Sequence, residues 1–214
     1  MVGQDIAALV ARMLAGDRVA LARLMTLVEN RVPDVPAIMS RLYGRTLAAH
    51  RIGITGPPGA GKSTLADRIV GACRRQGRTV GVVAVDPSSP FTGGAVLGDR
   101  IRMQSHFLDP GVFIRSLSTR GAHGGLPRSA RDVTRLLAAF GKQDIVIETV
   151  GVGQTELDVM RLADTVVVAL VPEAGDAVQV ELARARLDGD RPLPLPLEAC
   201  TWTAPEPKAF NAHL

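Results

Sequence analysis

The chain has 214 residues, a net charge of +4 and a pI of about 9.7, with 46% hydrophobic and 21% charged residues. That size and balance fit a soluble globular protein of one domain, or one domain plus an appendage. Aromatic residues make up only 3%, which argues against a nucleic-acid binder built on base stacking.

The first 48 residues read as helices. Ile6, Leu9, Val10, Met13 and Leu14 recur at helical spacing. Gly16 ends this helix and Asp17 is placed to cap the next. Leu21, Leu24, Met25 and Val28 carry the pattern to Pro33, and a third helix is predicted after Pro36 with Ile38, Met39 and Leu42 inward. With Gln4, Asp5 and Arg12 among its apolar residues, the start of the segment reads as an amphipathic helix and not as a signal peptide. It reads as a helical lid or packing arm.

Residues 50–172 alternate short Val- and Ile-rich strands with helices. Strands are predicted over 51–55, 79–85, 112–117, 145–149 and 165–171, and helices over 62–76, 99–107, 128–140 and 156–163. That rhythm predicts an α/β fold with a mostly parallel sheet flanked by helices. The apolar run at 166–171 is too short to cross a bilayer. Beyond 180 the rhythm stops. Pro192, Pro194, Pro196, Pro205 and Pro207 predict an extended or disordered tail after a short helix at 176–187. The expected organisation is a helical extension (1–48), an α/β domain (49–179) and a divergent Pro-rich tail (180–214).

Between the first strand and the next helix lies Gly56-Pro57-Pro58-Gly59-Ala60-Gly61-Lys62-Ser63, followed by Thr64. This is a P-loop in its required setting of strand, loop and helix. Glycines let backbone N–H groups turn inward around an anion, and the helix N-terminus adds partial positive charge. Lys62 is predicted to reach the β- and γ-phosphates, Ser63 to ligate Mg²⁺, and Thr64 to hold an α-phosphate oxygen. Mg²⁺ also needs carboxylates from neighbouring strand ends. Three are candidates: Asp86 after the second strand, Glu148 at the end of the fourth, and Asp99 in a glycine-rich loop. Lys62, Glu148 and Asp99 are the candidate catalytic residues. Gly151, three residues beyond Glu148, is placed to sense a γ-phosphate through its N–H, and Gln154 to orient water.

Four segments in this order carry a resemblance. They are 53–64, the run Val85-Asp86-Pro87-Ser88-Ser89-Pro90 with Gly93-Gly94 and 98–103, Ser118-Thr119-Arg120-Gly121 with Gly124-Gly125, and 148–154. Together they resemble the MeaB/ArgK-type GTPases, the G-protein chaperones of methylmalonyl-CoA mutase, over roughly residues 5–179. The resemblance implies binding of GTP and GDP with Mg²⁺, slow GTP hydrolysis, and partnership with an adenosylcobalamin-dependent mutase. It puts Asp86 and Asp99 on a first switch segment, Glu148 and Gly151 on a second, and 172–176 on a further loop facing the partner. It also implies a homodimer.

The sequence departs from that family after Gln179. The guanine-reading Asn-Lys-x-Asp is absent, since neither Asn30 nor Asn211 precedes lysine. Gly141-Lys142-Gln143-Asp144 has Lys and Asp at that spacing but precedes the wrong strand. The shift from Val180 reads as a truncation or a reading-frame change, with the dimerisation arm lost. Guanine selectivity therefore stays open, and so do a P-loop ATPase or kinase and a nucleotide-binding fragment without turnover. A kinase lid would need arginines. Arg128, Arg131 and Arg135 at helical spacing read as a solvated face, as do Arg74, Arg75 and Arg78. The two cysteines, Cys73 and Cys200, and the four histidines form no ligand pattern. The expected compartment is a reducing cytoplasm, with no nucleic-acid partner and no membrane.

Overall fold

Three helices precede the first strand in the computed structural model, which describes residues 3–44, 49–86, 103–118, 126–150 and 155–169. They are α1 (Gly3–Leu14), α2 (Arg18–Glu29) and α3 (Val35–Arg41). Asp17 caps α2 as expected, its carboxylate accepting from the amides of Val19 and Ala20. Those bonds, Ala20's first, hold the Asp17 carboxyl below the usual range. α3 starts one residue before Pro36, which falls in the first turn, where a missing N–H is harmless. The predicted apolar stripes are buried, except that Leu14 and Met39 are only partly covered.

The α/β part runs β1 (His50–Thr55), α4 (Lys62–Arg75), β2 (Val80–Asp86), β3 (Val112–Ser118), α5 (Ser129–Ala139), β4 (Asp144–Glu148), α6 (Thr155–Leu162) and β5 (Thr165–Val168). All pairings are parallel, in the order β3-β2-β4-β1-β5. β4, central, is buried along its length, while the four residues of edge strand β5 are only half-buried. The predicted helix over 99–107 is not what forms at its C-terminal part. From Met103 on there is one 3₁₀ turn, Gln104–His106, and the chain then turns through Asp109 into β3. Ser105 and His106 bond Asp67 of α4 instead of extending a helix.

The two sheet faces have separate cores. Ala66, Val70 and Cys73 of α4 pack on Ile54, Val80, Val82, Val112 and Val146. The other face, with Val83, Val85, Leu117, Ile145 and Ile147, packs on α5 and α6 and shares its cluster with α1, α2 and α3. Arg115 of β3 ties the N-terminal helices in through an ion pair with Glu29. Burial pushes the Cys73 thiol up to about 11, so it is a protonated core residue.

Lys142, before β4, is only 4% exposed, and its ammonium donates to the Gly111 carbonyl at 2.8 Å. Burial, with Arg18 and Arg74 nearby, lowers it to about 8. The unfolded chain therefore binds more protons between about pH 8 and the ordinary lysine value of 10.5, and stability rises with pH through that window. Below it the lysine costs about 3 kcal/mol. Gly111 O also accepts from Val80 N, so it keeps a donor without the lysine. Lys142→Met is expected to stabilise the protein by about 1–2 kcal/mol at pH 7, with the gain shrinking towards pH 10. Urea unfolding at both pH values checks the sign.

Candidate phosphate-binding site

Parallel strands present their C-terminal ends together, and ligands of such sheets bind in the crevice there. β1 is bracketed at that end by β4 on one side and β5 on the other, and the chain leaves it into residues 56–61. Gly56, Gly59 and Gly61 have φ of +136°, +81° and +79°, values that side chains disfavour. At Gly56 the need is also steric: a Cβ would stand 2.0 Å from the carbonyl oxygen of Ala169. Pro57 O accepts from Ala60 N at 3.2 Å and closes the turn. Pro58 and Gly59 are exposed, and Ala60 is buried. Gly61 precedes α4 with no side-chain cap, so the amides at that helix end are suited to an anion.

The first residues of α4 carry the polar groups. Lys62 is only 7% exposed, and its ammonium donates to Gly56 O and Pro57 O, each at 2.9 Å. A charged group is thus held against the loop's own carbonyls, at the place where a phosphate would be cradled. Ser63 is equally buried, and its hydroxyl donates to Glu148 Oε1 at 2.5 Å. Ile54 of β1 lies opposite Glu148 of β4, and that pairing brings the carboxylate to the helix start. Thr64 is exposed beside them. Asp86 is the last residue of β2, paired with Ser118 and two residues beyond Ala84, which pairs with Glu148. The backbone of Asp86 is therefore at the same end of the sheet. Asp99, Arg120, His123, Gly151, Gln154 and residues 172–176 lie outside the described residues.

Hard oxygen donors suit a small divalent cation. Ser63 and Glu148 supply a hydroxyl and a carboxylate in contact, buried beside the lysine, so they fit Mg²⁺. Among the described residues no group of three His, Cys, Asp or Glu is placed to hold a metal. An ion at this point would draw its remaining oxygens from elsewhere, as Mg²⁺ on phosphates does.

Three contributors escape a reading of the sequence. Thr149, after Glu148, bonds the end of β1: its hydroxyl lies 3.2 Å from Ile54 O and 3.1 Å from Thr55 Oγ1. Thr55 is the second. The third is Ala169, whose N–H donates to Thr55 O at 2.7 Å and whose carbonyl closes over Gly56. Hydroxyl-bearing residues at two strand ends are visible in the sequence, but their adjacency depends on the strand order. The Lys142–Asp144 spacing is a structural feature. Both residues sit at the N-terminal end of β4, opposite the loop, and Asp144 pairs with Arg78 at 2.6 Å. Arg128, just before α5, and Arg131 and Arg135 on it are exposed, as a solvated face would be.

Comparison with known proteins agrees with this geometry. Residues 21–184 match the family described as "Methylmalonyl Co-A mutase-associated GTPase MeaB". A Pyrococcus horikoshii protein, provisionally named a GTPase, is 56% identical over 176 residues, covering 82% of this chain and 56% of its own. GTPase ArgK of Escherichia coli is 41% identical over 177 residues, covering 79% and 53%. A crystal structure titled LAO/AO transport system kinase superposes with a TM-score of 0.61 at 29% identity, over 86% of this chain and 62% of that one. The chain spans about half the length of the curated relatives it matches. With a P-loop on a parallel sheet and a family match over most of its length, the chain belongs to the MeaB family of P-loop GTPases.

Proposed function

We propose that this chain binds GTP and GDP with Mg²⁺ and hydrolyses GTP. The observation that carries the reading is the buried Ser63–Glu148 contact, which joins the start of α4 to the end of β4 beside Lys62. Lys62 would exchange its bonds to Gly56 O and Pro57 O for β- and γ-phosphate oxygens. Thr64 would hold an α-phosphate oxygen. Ser63 would turn its oxygen to Mg²⁺, with Glu148 holding the ion directly or through water, and Asp86 and Asp99 would add carboxylates from the first switch. Gly151 would sense the γ-phosphate through its N–H. Mg²⁺, when bound, neutralises charge on the phosphates during transfer.

The family name supports a mutase-linked role, as does a Caenorhabditis briggsae relative named methylmalonic aciduria type A homolog, 38% identical over 183 residues. On that basis the partner is a methylmalonyl-CoA mutase or a related cobalamin-dependent mutase, and the setting is the cytoplasm. Among the described residues no helix is long and apolar enough to cross a membrane. The division at 48 and 179 is retained as the proposed domain plan.

Single-turnover hydrolysis of GTP in MgCl₂ tests the proposal. Glu148→Gln keeps the shape but removes the charge, and is expected to slow the step about 100-fold or more, the scale of losing one aligned electrostatic group. Equal rates for the two proteins would remove Glu148 from the site.

A further inference from the structure

Resting on the nucleotide reading above, we infer that Thr149 is a positioning residue for the Ser63–Glu148 pair, working through a buried hydroxyl bond to the end of β1. Glu148 is the last residue of β4 and lies on the sheet face covered by α4, where it meets Ser63. Strand alternation turns the next side chain to the opposite face. There Thr149, 2% exposed, meets Thr55, which is fully buried. Its N–H donates to Ile54 O at 3.1 Å, and its hydroxyl reaches Ile54 O at 3.2 Å and Thr55 Oγ1 at 3.1 Å. The chain leaving β4 is thus fastened to two consecutive residues of β1, and the next residue of β1's chain is Gly56, where the phosphate loop begins.

The placement ties two things that must move together. Ile54 and Thr55 carry the loop, and Glu148 carries the carboxylate. Ser63 is reached from Glu148 across a 2.5 Å contact, so a shift of β4 by a fraction of an ångström against β1 breaks or compresses it. Backbone pairing of a parallel ladder alone leaves the last residue of a strand free to fray. The hydroxyl bonds hold the residue just beyond it. Valine has nearly the shape of threonine and would fill the same space. A hydroxyl buried here costs desolvation unless it is bonded, so packing alone does not call for threonine. The Thr55–Thr149 pair therefore sets the register of Glu148 over Ser63 without touching a ligand.

The test uses the full chain, with GDP as probe, titrated in MgCl₂ and again in EDTA. The ratio of the two affinities reports the metal-holding groups, Ser63 and Glu148 among them, apart from the phosphate loop. Thr149→Val is expected to cut that ratio by about fivefold to tenfold, the worth of one buried hydrogen bond. Its EDTA affinity should stay near wild type, and Thr149→Ser should restore the ratio. Thr55→Val removes the Thr149–Thr55 bond and leaves the one to Ile54 O, so it should give a smaller loss in the same direction, which covers the case of a Thr149 variant that does not fold. An unchanged ratio in both valine variants overturns the inference. So does an equal loss in MgCl₂ and EDTA, which marks a general loop defect, and so does a serine variant that fails to rescue. If wild type binds GDP with no gain from MgCl₂, the metal reading itself falls and takes the inference with it. That failure is visible before any variant is made.

Discussion

Lys62→Met is expected to weaken GDP and GTP binding by about 100-fold to 1000-fold while changing stability by no more than about 1 kcal/mol. The ammonium is nearly buried and donates to two carbonyls of its own loop. In the absence of ligand, its removal gives up those bonds and also the cost of holding a charge out of water, and the two effects oppose each other. With phosphate bound the balance changes. A unit charge about 3 Å from a phosphate oxygen, at an effective dielectric near 20, interacts by about 5 kcal/mol. Desolvation takes part of this, leaving about 3–4 kcal/mol, which is the affinity loss stated. Equilibrium binding with a fluorescent nucleotide, read beside a thermal melt, checks both halves. Weak binding with a large fall in melting temperature would mean that Lys62 is a structural residue.

Gly56→Ala should fail in the opposite way, through the fold. The new Cβ would stand 2.0 Å from Ala169 O and 3.0 Å from Ala169 C. Both are backbone atoms, and the segment is anchored by Ala169 N donating to Thr55 O. The φ of +136° adds strain for any side chain. Overpacking and backbone strain together give about 3–5 kcal/mol of destabilisation, or a fall of roughly 10 °C in melting temperature. The phosphate loop would be displaced at its first residue, so nucleotide binding should fall as well. Gly59→Ala is the control. It shares a positive φ of +81° but meets nothing within 4 Å, so it should cost only about 1–2 kcal/mol. Equal melting temperatures for the two variants would show that Ala169 yields, and that β5 does not hold the loop's first residue.

What the sequence made legible is local. The P-loop, helix α4, the Asp17 cap and the five strands follow from patterns within about ten residues. Glu148 is legible as a candidate because a strand-end acid three residues before a glycine is itself a local pattern. What the sequence left unread depends on strand order. Nothing in the pattern says that β4 inserts between β1 and β2, yet that placement alone brings Glu148 to Ser63 and Thr149 to Thr55. The parallel direction of β4 puts Lys142 and Asp144 at the far end of the sheet from the phosphate loop. The helix expected over 99–107 gave way, in its described part, to a turn. Its polar residues find better partners on α4 at Asp67 than along a helix of their own.

If the reading is right, a guanine nucleotide occupies this cradle in preference to an adenine one. Competition between GDP and ADP for the chain in MgCl₂ tests it most directly. GDP is expected to displace a bound fluorescent nucleotide at markedly lower concentration than ADP. Equal competition by the two, or no binding of either, would contradict it.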